Sequence, residues 1–129
     1  MPPEESQYPQ DWLKVAQKDW RRVDQALDDG DAEEAGFWLQ QAVEKYLKAY
    51  LLSKSWVLRK IHDLEVLLNE AAAHEPAFKR YASACGKISG YYLRERYPFV
   101  DSSALILDEV AGSRDEVMGL VESIRQELG

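Results

Sequence analysis

Twenty-two residues from Ala32 to Ser53 limit what this chain can become more than any other stretch. They contain no proline and a single glycine, Gly36. Phe37, Trp38, Leu39, Ala42, Val43, Tyr46, Leu47, Tyr50 and Leu51 recur at three- and four-residue steps and occupy more than one face. An apolar surface that wraps around a helix has to be covered by other helices on several sides. The spacing therefore predicts a long central helix in an all-α bundle. Gln40, Gln41, Glu44, Lys45 and Lys48 lie between the apolar positions. Glu44 and Lys48 form an i,i+4 pair in the favourable orientation.

The remaining segments supply the cover. Trp12, Leu13, Ala16, Trp20, Val23 and Leu27 predict a first helix over about residues 11–28, stopped by Asp28-Asp29-Gly30-Asp31. Gly30 suits a helix C-terminus, and Asp31 suits the N-cap of the next helix. Residues 53–61 read as a connection. A third helix is expected to open near His62-Asp63, with Leu64, Leu67, Leu68, Ala71 and Ala72 on its inner stripe. Pro76 suits the first turn of a fourth helix carrying Phe78, Tyr81, Ala82, Cys85, Ile88 and Tyr92. Tyr97-Pro98 stops that helix. The last helix lies between residues 104 and 128 and begins near either Leu107 or Ser113. Short connections favour antiparallel neighbours, so the expected fold is an up-and-down antiparallel bundle of four to five helices. Residues 1–10 are expected to form a short leader and residues 11–128 one domain.

Charge and cysteine usage narrow the function. The formal net charge is -7, which argues against general nucleic-acid binding. The segment from Lys45 to Arg96 nevertheless carries ten basic and five acidic residues, a local +5 against -12 elsewhere. A solvated helix face and an anion-accepting surface both fit that segment. With Cys85 the sole cysteine, no internal disulfide can form, which fits a reducing, cytoplasmic setting. No apolar run approaches the ~20 residues that span a membrane.

Complete catalytic sets are missing. His62 and His74 fit no common zinc spacing, so no metal and no other cofactor is expected. Cys85 falls on an apolar stripe, where a buried structural thiol is the expected reading. The most unusual stretch is Tyr91-Tyr92-Leu93-Arg94-Glu95-Arg96-Tyr97-Pro98. Arginine offers paired planar donors to phosphate, and tyrosine can stack on a base. The alternative is plain packing and pairing with nearby acids. His62-Asp63 could bind phosphate or act as an acid/base pair, or could simply cap a helix.

Several pieces together resemble the HEPN domain family (higher eukaryotes and prokaryotes nucleotide-binding), of the bacterial and archaeal stand-alone type. Asp11-Trp12 with Ala16, then Phe37 with Gln40-Gln41-Ala42-Val43-Glu44-Lys45 and Leu47-Lys48-Ala49, then His62-Asp63-Leu64 with Leu67-Leu68, then Arg96-Tyr97-Pro98 follow the family's order. The resemblance covers about residues 11–128. It implies a helical bundle that forms homodimers and associates with nucleotides or RNA, often beside a minimal nucleotidyltransferase in toxin–antitoxin pairs. Ribonuclease members carry an arginine followed after four to six residues by a histidine. Here those positions hold Phe99, Val100 or Asp101 after Arg94, and Asp101, Ser102 or Ser103 after Arg96. The resemblance thus implies a non-cleaving nucleotide- or partner-binding module, with Arg94, Arg96 and Tyr97 as leading site residues and Lys48 and His62 beside them. Two alternatives stand: a divergent metal-independent ribonuclease using Arg96 with His62 or Asp101, and a pure dimerisation domain.

Overall fold

The structure is a computed structural model that describes residues 6–96 and 106–129, without the side chains of residues 92–96. Five α-helices follow one another: α1 (Pro9–Asp28), α2 (Ala32–Ser53), α3 (Leu64–Ala72), α4 (Ala82–Arg96) and α5 (Leu107–Leu128). A 3-10 turn, Pro76–Tyr81, joins α3 to α4. Among the described residues there is no strand, as the helical periodicity requires.

α2 is the hub. It packs against α1, α3, α4 and α5, which is what its many-sided apolar surface demands. Leu39, Ala42, Val43, Leu47, Ala49 and Leu51 are fully buried, as are the rings of Tyr46 and Tyr50. α1 contributes Trp12, Leu13, Ala16, Trp20 and Val23 to the same core. α3 adds Leu64, Leu67, Leu68 and Ala71, α4 adds Cys85 and Ile88, and α5 adds Val117, Leu120, Val121 and Ile124. A Leu or Ile of this kind, fully buried, stabilises by roughly 1.5–3 kcal/mol.

Two helices end by the same device. After α1, the Gly30 amide donates to the Leu27 carbonyl and the Asp31 amide to the Ala26 carbonyl. After α2, the Ser55 amide donates to Leu52 and the Trp56 amide to Leu51. Both are Schellman closures, which place one residue in the left-handed region. Gly30 takes it with φ +73° and Ser55 with φ +64°. Asp31 then caps α2, accepting from the Glu34 amide at 3.1 Å.

Local boundaries differ from the sequence expectation in three places. α1 starts at Pro9, two residues early, with proline in its first turn. The segment after Pro76 winds as a 3-10 turn before the α-helix begins at Ala82. Of the two starts open for α5, Leu107 is the one adopted. Ser113 does not cap it. It is buried, and its hydroxyl lies 2.7 Å from the Tyr91 hydroxyl of α4. The polar tie to α4 makes residue 113 an inward-facing position of a continuous helix.

Candidate functional site

The site grows from three polar residues on the buried surface of α2. Gln40, Glu44 and Lys48 follow at intervals of four, so they share one face of the helix. All three are buried, at 2 %, 5 % and 3 % relative exposure. The Lys48 ammonium lies 3.1 Å from Glu44 Oε2 and 5.3 Å from the centre of the Trp12 ring. Gln40 donates its amide to Glu44 Oε1 at 3.2 Å. A buried charge needs such partners, since leaving it alone in the interior costs several kcal/mol.

His62 completes the group from the loop before α3. Its Nδ1 lies 3.3 Å from Glu44 Oε1 and 3.2 Å from Oε2. Its backbone carbonyl accepts from the Gln40 amide at 3.3 Å. Thus α2 holds both the main chain and the ring of one residue of the loop. The imidazole itself faces outward, with 72 % of its side chain exposed against 7 % for Glu44. The pairing joins an exposed, titratable group to a buried carboxylate anchored by a lysine.

Asp63, next in the chain, has the capping role. Its carboxylate accepts from the Glu65 amide at 2.9 Å and the Val66 amide at 3.4 Å. The Leu64 amide donates to the Ser89 hydroxyl of α4 at 3.1 Å. That bond seats the start of α3 against α4. Arg96 lies seven residues, two helical turns, beyond Ser89 along the α4 backbone. Arg94 and Arg96 occupy the last turn of the α4 backbone. Their side chains, together with Tyr97 and Asp101, lie outside the described residues.

A second polar cluster adjoins the first. Asp19 of α1 is buried and accepts from Lys45 at 2.5 Å and from Arg22 at 3.1 Å. Lys45 also reaches Gln41 at 3.4 Å, and Gln41 donates to Gln40 at 2.7 Å. Hydrogen bonds therefore run without a break from Asp19 to His62 across the α2 surface.

Of the residues singled out in the sequence, Lys48 and His62 come together through Glu44, eighteen positions before His62. Glu44 and Gln40 were not among the expected site residues. A signal for them exists: polar residues spaced four apart on a helix that is otherwise apolar around most of its circumference. Cys85 is buried, and burial pushes its thiol up to about 12, with Glu65 adding to the effect. It has no nucleophilic character near neutral pH. Among the described residues no three His, Cys, Asp or Glu side chains gather in a way that could hold a metal ion, and no helix is long and apolar enough to cross a membrane.

A family model, HEPN domain, matches residues 9–126, nearly the whole five-helix bundle. The chain belongs to the HEPN domain family. No curated protein and no solved structure matches it. HEPN membership places the chain among all-helical modules of a nucleotide-binding and ribonuclease-like kind.

Proposed function

We propose that this HEPN domain is a non-cleaving nucleotide-binding module, acting as a homodimer beside a nucleotidyltransferase partner. The observation that carries the reading is the exposed His62 ring, held from behind by Glu44 at the junction of α3 with α4. The junction lies two turns from the arginine-bearing end of α4. In this reading Arg94 and Arg96 neutralise the ligand's phosphates and Tyr97 stacks or donates. Lys48 serves the site from behind, because its charge is committed to Glu44.

Thermal melting with ATP, GTP and short RNA tests the proposal. A ligand that prefers the folded state raises the midpoint in a saturable way. The expected result is such a rise, lost in Arg96→Ala and reduced in His62→Ala, with both variants folded. An unchanged midpoint with all three ligands would refute it.

The His62–Glu44 pair also favours a second reading. A histidine backed by a carboxylate is the arrangement that orients a general base. A divergent ribonuclease would use it with Arg96, and would cleave RNA in the presence of EDTA. Cleavage that persists in EDTA and disappears in His62→Ala would select this reading over the first. Intact RNA under the same conditions would leave the binding module.

A further inference from the structure

The same pair fixes what kind of ligand atom His62 can meet, an inference that rests on the nucleotide-binding reading. A carboxylate oxygen can only accept a hydrogen bond. Lys48 at 3.1 Å and Gln40 at 3.2 Å, both donors, use the Glu44 carboxylate oxygens as acceptors from the other sides. The ring nitrogen facing Glu44 must then carry the proton. Nδ1 sits nearly the same distance from both Glu44 oxygens, 3.3 and 3.2 Å, so the ring is centred on the carboxylate fork. In a neutral imidazole with hydrogen on Nδ1, Nε2 carries a lone pair and no hydrogen. Nε2 is on the opposite edge of the ring from the buried carboxylate, and the side chain is mostly exposed.

We propose that Glu44 is a positioning residue that holds His62 as the Nδ1–H tautomer, so that Nε2 accepts a hydrogen bond from a hydroxyl or amino group of the nucleoside. Phosphate is the wrong partner for that nitrogen, because two lone pairs would face each other. The nucleoside therefore lies against α2 and the start of α3, and its phosphates extend toward the end of α4. Sugar and base, rather than charge, are read at His62.

Long-range proton–nitrogen NMR at pH 8 tests the assignment on the intact protein, because the two ring nitrogens resonate far apart according to which bears hydrogen. His62 and His74 are the two histidines of the chain, and His74→Gln identifies the resonances. The expected spectrum shows His62 with hydrogen on Nδ1, and Glu44→Gln releases the ring to a mixture. ATP should move the His62 Nε2 resonance, while inorganic tripolyphosphate, which offers no sugar or base, should not. His62→Phe, at an exposed position, should weaken ATP binding about tenfold and leave tripolyphosphate binding unchanged. Hydrogen on Nε2 in the wild-type protein, or an equal response to tripolyphosphate, would overturn the proposal. Binding of neither ligand would bring down the nucleotide reading and the ligand assignment with it, while the tautomer spectrum would still decide the part played by Glu44. Should Glu44→Gln fail to fold, the wild-type spectrum and His62→Phe decide alone.

Discussion

At the scale of single residues, Ser55 and Tyr46 carry costs that substitution can reveal. Ser55 closes a Schellman motif at φ +64°, in the region where an L side chain is strained and glycine is not. Ser55→Gly should raise stability by about 0.5–1 kcal/mol, read as an increase in the urea midpoint with an unchanged slope. Gly30→Ala, at the matching position after α1, should lower it by a similar amount. The Tyr46 hydroxyl is buried and finds no hydrogen-bond partner among the described residues. Tyr46→Phe removes that polar atom and keeps the ring packed edge-on to Trp20, 6.3 Å between centroids. It should therefore change stability by less than about 0.5 kcal/mol or improve it. Tyr91→Phe breaks the 2.7 Å bond to the buried Ser113 hydroxyl and should cost about 1–2 kcal/mol. The contrast between two buried tyrosines, measured by the same denaturation experiment, isolates the hydrogen bond from the ring.

At the scale of elements, α2 combines two roles that its sequence shows unequally. Its apolar periodicity announces a central helix, and the structure places it there. Its polar stripe is harder to read, because Gln40, Glu44 and Lys48 resemble the solvated residues of any surface helix until α3 and its loop are laid over them. His62 meets Glu44 only through the chain reversal that packs α3 against α2 and α4, and a separation of eighteen residues leaves no local trace. The capping role of Asp63 is local and was legible. The start of α5 was not, because the residue that decides it, Ser113, answers to Tyr91 on another helix. The Arg-Tyr stretch that begins in the last turns of α4 was legible as unusual chemistry through composition alone. The buried Glu44–Lys48 pair gives this element its prediction. Lys48→Met leaves Glu44 without its ammonium and should cost about 3 kcal/mol or more. Adding Glu44→Leu removes the stranded carboxylate and should restore most of that loss. The double variant should nevertheless lose the His62 tautomer preference and weaken nucleotide binding. Full recovery of folding with loss of the site, read by urea denaturation and NMR, would show that the ion pair is there for His62 and not for stability.

At the scale of the whole molecule, five groups hold their protons more tightly than they would in water. Burial pushes the Tyr46 hydroxyl up to about 12 and raises that of Tyr50. Cys85 rises to about 12 for the same reason. Lys54 is raised by its bond to Glu127, and Arg114 by its bond to Asp24. These groups sit on α2 and the residue that follows it, on α4 and on α5, so the effect belongs to the assembled bundle. In each case the folded chain holds its proton more tightly than the unfolded chain does. The contribution to stability is then complete below the unfolded values and shrinks as pH climbs, since the unfolded state binds fewer protons than the native one. For Cys85 and Tyr46 the loss begins at about pH 9 and 10, the ordinary values for these groups, and runs to about 12. Urea midpoints should accordingly fall steadily between about pH 9 and 11. The combined Cys85→Ala and Tyr46→Phe variant removes two of the titrating groups. At pH 8 it should be less stable than the parent, through the cavity left in the core by the buried Cys85 thiol. Its midpoint should then fall less steeply with pH, so that the gap narrows by pH 11. Parallel curves for the two proteins would show that these buried groups do not drive the alkaline loss. In that case the fall would belong to Tyr50 and to the links that Lys54 and Arg114 make from α2 and α5 to their neighbours.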